Sequence, residues 1–189
     1  MYSDKGQSLM ELVVVIAVII IVVAALTFAT IASLRNANLA KNQAQATKLA
    51  QEGLERVRTG RDRKRPIFVI GIATVDSWSG TGPIWGYHIS GDCDRPDLTP
   101  AGLCYFNVDS TGQLDNKAFA STSFPSLSEG IPSDNPVFRR VILLSDDLNH
   151  DKNFSNDDFQ NQKEVTAIVN WIDFAGSHES RLTTILRKI

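Results

Sequence analysis

The chain has 189 residues, with 19 Lys and Arg against 21 Asp and Glu, and a formal net charge of −2 at pH 7. That length suits about one domain plus an appendage, and the near-balanced charge gives no bulk reason to expect nucleic acid or an acidic partner. The histidines, His88, His150 and His178, are isolated in sequence, and no HExxH, GxSxG, P-loop or GxGxxG occurs, so no local catalytic constellation is expected and the chain does not read as an enzyme.

The first element begins after a short polar stretch. Residues 12–32 read LVVVIAVIIIVVAALTFATIA, and no charged side chain occurs from 12 to 34. About 20 apolar residues make a helix of roughly 30 Å, enough to cross a bilayer. The run is rich in β-branched residues, which lipid tolerates because a helix satisfies its own backbone there. It is too long for the apolar core of a secretory signal, and no small-x-small cleavage site follows it. The processing context lies ahead of it instead, in Lys5, Gly6, Gln7, Ser8, Leu9, Met10, Glu11 and Leu12. Glu11 stands at the edge of the apolar run, where a lone carboxylate costs up to about 3 kcal/mol if drawn deep into lipid, so it calls for a partner.

Lys5, Gly6, Ser8, Leu9, Glu11 and Leu12 resemble the leader of type IV prepilins: a short polar leader ending in a basic residue and Gly, then an apolar helix with Glu fifth in the mature chain. The resemblance implies cleavage between Gly6 and Gln7 by a membrane prepilin peptidase and N-methylation of the new first residue. It implies partners in other pilin subunits and the inner-membrane assembly machinery, and a single pass of the bacterial cytoplasmic membrane before the subunit enters a pilus or secretion pseudopilus. In a bundle of such helices, Glu11 of one subunit can face the amine of its neighbour, so that two charges costly in lipid neutralise each other. Gln7 stands where the family commonly has Phe, so the resemblance speaks more strongly for cleavage than for methylation; the apolar helix lacks the mid-helix Pro or Gly of many pilins, which points to a minor rather than an abundant subunit. The alternative is a permanently anchored, calcium-dependent binding or adhesion module. Arg35, Lys41 and Lys48 follow the apolar run. By charge bias alone they would put the C-terminal side in the cytoplasm; the leader pattern points the other way.

Helix formers continue through residue 58. Leu39, Ala46, Ala50, Gly53 and Val57 share one face, flanked by Leu49 and Leu54, and these mostly small residues suit packing against a sheet. One helix of about 50 residues, roughly 75 Å long, is expected. Arg56, Arg58, Arg61, Arg63, Lys64 and Arg65 make a basic run. It reads either as a contact for DNA or anionic lipid, or as a solvated helix C-terminus with cations favoured by the dipole. The second is simpler, because no aromatic residues interleave for base stacking.

Past Pro66 the pattern changes to short strands and loops. Cys93 and Cys104 flank a loop holding Pro96, Pro100 and Gly102, a spacing that fits neither a zinc pair nor a CxxC motif. They form either a disulfide, which needs an oxidising compartment, or two free thiols. Candidate strands are 84–89, 103–108, 138–144, 164–172 and 180–186, with a hairpin turn over 173–177 in which His178 is read as solvated. The segment VTAIVNWIDFAGSHESRLTTIL also looks like the closing strands of minor pilins. Between strands, Asp147, Asn149, Asp151 and Asp158 place oxygens at the first, third, fifth and twelfth positions of a loop, with the Asn153 carbonyl at the seventh and Phe154 at the eighth. That spacing resembles the calcium loops of dockerins and EF-hands and suits a structural calcium ion; the competing reading is an Asx-rich turn. Lys152 stands where Gly makes the sharp bend in such loops.

The expected fold class is therefore α+β: a long N-terminal transmembrane and spine helix packed on an antiparallel β-sheet head. The boundaries are a leader at 1–6, the helix at 7–58, a basic linker at 59–66 and the head at 67–189.

Overall fold

The computed structural model describes residues 5–68, 76–78, 105–116, 128–145, 148–149 and 160–189. The chain divides into two compact units, Met1–Gln43 and Ala44–Ile189. The first helix, α1, spans Lys5–Asp62 without interruption. In the first unit it stands alone: every large apolar side chain from Leu9 to Leu34 is exposed, from 40% at Ile31 to 74% at Phe28. Its hydroxyls turn inward, with Thr27 Oγ1 donating to the Val23 carbonyl and Thr30 Oγ1 to the Thr27 carbonyl, both at 2.8 Å. The helix is long and apolar enough to span a membrane.

In the second unit the rest of α1 buries the small-residue face that its spacing predicts, with Ala46, Ala50, Gly53 and Val57 enclosed. The helix does not stop near residue 58. It continues through Gly60, because the absent side chain there lets it press onto Gly112: a Cβ on Gly60 would lie 2.0 Å from the Gly112 carbonyl oxygen. Termination follows at once. Arg65 N–H donates to the Gly60 carbonyl at 2.8 Å and Lys64 N–H to the Arg61 carbonyl at 3.0 Å, with Lys64 at φ 51°. This is a Schellman closure with Lys where Gly is usual. The linker expected at 59–66 thus shrinks to residues 63–65, since β1 begins at Pro66.

The strands are β1 (Pro66–Phe68), β2 (Asp76–Ser77), β3 (Tyr105–Val108), β4 (Leu114–Asn116), β5 (Glu129–Ile131), β6 (Phe138–Ser145), β7 (Gln162–Asp173) and β8 (Gly176–Arg187). They form one sheet in the order β2-β1-β4-β3-β6-β7-β8, with β5 also paired to β6. Every pairing is antiparallel except β1 with β4. The layout is α+β. The three longest strands extend the expected ranges at both ends or at one, and β8 starts at Gly176 rather than 180 because Asp173 pairs directly with Gly176 across a two-residue turn.

β7 is covered on both faces from Lys163 to Val169. Ala167, with Ile142 of β6, lies against Gly53 of the helix. On the reverse face Val141 and Ile168 form a smaller cluster with Tyr105 and Leu143. The candidate strand at 84–89 lies outside the described residues.

Candidate functional site

The Gly6–Gln7 bond lies in the first turn of α1. Amide groups there have no acceptor four residues earlier, so unwinding this turn breaks few hydrogen bonds. Glu11 follows Gln7 by four residues, one helical turn, and is exposed beside Leu9, Leu12 and Val15. The structure therefore sets a single carboxylate at the start of a continuous apolar surface. A soluble monomer rarely leaves so long an unbroken run of large apolar side chains exposed. At about 1.5–3 kcal/mol for each large side chain brought out of water, burial of that run in lipid or among like helices outweighs any single contact in the chain.

A second constellation, which the sequence reading missed, ties the helix to the sheet. Arg140 of β6 is 1% exposed. Its Nε and Nη2 reach Glu129 Oε2 at 2.8 and 2.7 Å, and its Nη1 donates to the Leu49 carbonyl at 2.8 Å. Arg56 Nη1 lies 3.3 Å from Glu129 Oε1, and the same guanidinium pairs with Glu52 one turn back along α1. Two arginines and two carboxylates thus neutralise one another across the helix–sheet seam, the condition under which a buried cation is tolerated. Within the stretch FRRVILL only strand alternation hinted at this, by turning Arg140 to the same side as Phe138 and Ile142.

The β7–β8 hairpin carries the third group. Asp173 Oδ1 accepts from Ala175 N–H at 2.7 Å and lies 2.9 Å from His178 Nε2. The His178 ring stacks on Trp171, its cross-strand partner, with centroids 5.3 Å apart and planes 20° apart. His178 is therefore partly buried and engaged, not a solvated turn residue; the early start of β8 puts it in the ladder opposite Trp171. Burial pushes the Asp173 carboxyl up, but the Ala175 amide, the His178 contact and the Gly176 amide together hold it below the usual carboxylate range. In the β3–β4 turn Asp109 behaves likewise: burial raises it, and the Thr111 hydroxyl with the Gln113, Thr111 and Gly112 amides outweighs burial and holds it below the usual carboxylate range. These carboxylates organise turns.

Of the basic run, Arg56 joins the seam, Arg58 pairs with Glu55, and Arg61 lies 2.7 Å from Asp62 while donating to the Arg187 carbonyl at 3.1 Å. Cys93, Cys104, Asp147, Asp151, Asn153 and Asp158 lie outside the described residues; Asn149 is described and exposed. Among the described residues no cluster of three or more His, Cys, Asp or Glu side chains is placed to hold a metal ion. No family model, curated protein or solved structure matches the chain.

Proposed function

We propose that the protein is a structural subunit, a minor pilin or pseudopilin, that is cut after Gly6 and assembles through its apolar helix into a type IV pilus or a related secretion pseudopilus. The observation that carries this reading is the uncovered apolar surface of α1 from Leu9 to Leu34, headed by one carboxylate, Glu11. A plain anchor needs the apolar surface but has no use for a charged residue at its edge. A subunit that leaves the membrane for a fibre needs both: the surface packs helix on helix, and the carboxylate neutralises the amine that cleavage creates on a neighbour. Placement of Gly6–Gln7 in the first, loosely held turn favours access by a peptidase. The head contributes a folded unit that the helix holds through the Arg140–Glu129–Arg56–Glu52 seam.

The test is the intact mass and N-terminal sequence of the protein purified from its native membrane. The expected chain starts at Gln7. A chain still starting at Met1, in cells whose prepilin peptidase is active, removes the reading and leaves a permanently anchored module.

A further inference from the structure

Half of the basic run is consumed by neighbours, but the fold supplies replacements from another part of the chain. Arg63, Lys64 and Arg65 follow the end of α1, and Arg187 and Lys188 close β8. The two stretches are brought together by the bond from Arg61 Nη1 to the Arg187 carbonyl. Lys188 is fixed by its own N–H on the Asn161 carbonyl at 2.7 Å, and Arg65 by its N–H on Gly60. Arg63, Lys64, Arg187 and Lys188 are exposed, and among the described residues none of the five side chains has a carboxylate within 4 Å. Arg65 Nε is enclosed and without a hydrogen-bond partner.

Favourable placement at a helix C-terminus explains cations in the last turn, such as Arg58 and Arg61. It does not explain three more cations past the end of the helix, nor Arg187 at the end of β8 and Lys188 just beyond it. In a chain of net charge −2 their gathering makes a localised positive surface. We infer that this surface binds the phosphate backbone of nucleic acid, without reading its sequence. Three of its five cations are Arg, whose planar fork matches paired phosphate oxygens. Residues 61–65 and 185–189 contain no aromatic side chain, so bases find nothing to stack on and the backbone is what is grasped. Among the described residues Ile185 and Ile189 alone add apolar surface beside the cations, so a lipid surface would gain charge attraction without the insertion that strengthens amphipathic membrane sites. The inference uses residues of the second unit alone and stands apart from the fibre reading.

The experiment titrates the full chain, in neutral detergent, against a labelled duplex of arbitrary sequence at increasing salt. Contacts to three to five phosphates give a slope of about −2.7 to −4.5 in log affinity against log salt, a loss of about 40- to 500-fold between 50 and 200 mM. Arg63→Gln/Arg187→Gln/Lys188→Gln should lower the magnitude of that slope by up to about 2.7, while Arg58→Gln leaves it unchanged. An unaltered urea midpoint shows that the triple variant is folded. Absence of binding at 50 mM salt, or a slope indifferent to the triple substitution, overturns the inference. Retention on phosphatidylserine vesicles with none on the duplex also overturns it, in favour of a lipid surface.

Discussion

Arg140 is the residue on which the head's internal electrostatics turn. Removing it leaves Glu129 facing Arg56 alone and opens the space against Gly53, whose position 3.0 Å from Arg140 Cδ is that of a would-be Cβ. Loss of one partner from a fully buried pair costs about 3–5 kcal/mol, and Glu129 is partly solvated, so Arg140→Ala should destabilise the head by about 2–3 kcal/mol in urea unfolding. Arg140→Met/Glu129→Gln should recover at least half of that, because the charge left behind is gone and the volume is filled. The turn carboxylates give a pH signature. Asp109 and Asp173 sit below their ordinary range in the folded head, so their contribution is fully present above about pH 4, the unfolded carboxylate value, and is lost as pH falls through their lower folded values. The stability difference between the wild type and Asp109→Asn, whose carboxylate has only hydroxyl and amide partners, should accordingly be flat from pH 5 to 7 and shrink in acid. A difference that grows in acid would contradict the hydrogen-bond cause.

At the level of elements, the seam between α1 and the β3–β4 turn depends on two glycines that touch. A Cβ on Gly112 would lie 2.4 Å from the Arg56 carbonyl, and its φ of +85° is itself unfavourable for other residues. Gly112→Ala and Gly60→Ala should each cost about 2–4 kcal/mol, read as a lowered thermal midpoint. At Lys64 the same reasoning reverses. This residue already occupies the left-handed region, so Lys64→Gly should stabilise by about 1 kcal/mol and raise the midpoint by about 2–4 °C.

How much of this was legible depended on whether a signal was periodic. The apolar run, the small-residue face of α1 and the strands around 138–144 and 164–172 repeat a pattern, and the structure contains each of them. The helix end was misread because Gly60 has two meanings, breaker or close contact, and only Gly112, far away in sequence, decides between them. β1, β2, β4 and β5 span 2 or 3 residues each, too few for any alternation to register. The seam of Glu52, Arg56, Glu129 and Arg140 joins three elements, and no local spacing encodes it. Glu11 was visible because a charge beside an apolar run is anomalous in itself.

For the whole molecule, the decisive contrast among the described residues is between the exposed apolar surface of α1 from Leu9 to Leu34 and a head whose buried Arg140 is paired across the Glu52, Arg56 and Glu129 seam. On the proposed fibre reading, Glu11→Ala should remain membrane-bound in cell fractionation yet be absent from sheared fibres. A variant that enters fibres as the wild type does would show that the carboxylate has no part in assembly. The outermost long strand has a bearing on such assembly. Among the described strands β8 ends the sheet, and along its exposed side chains run Glu179, Arg181 and Arg187. A bare strand of 12 residues is ordinarily a template on which other chains can polymerise. Charges along it make that route unfavourable, since each added strand would have to strip water from ions. In the fibre proposed for this protein, heads gathered at high local density would thereby avoid amyloid-like growth, and ordered elongation would be left to the helices.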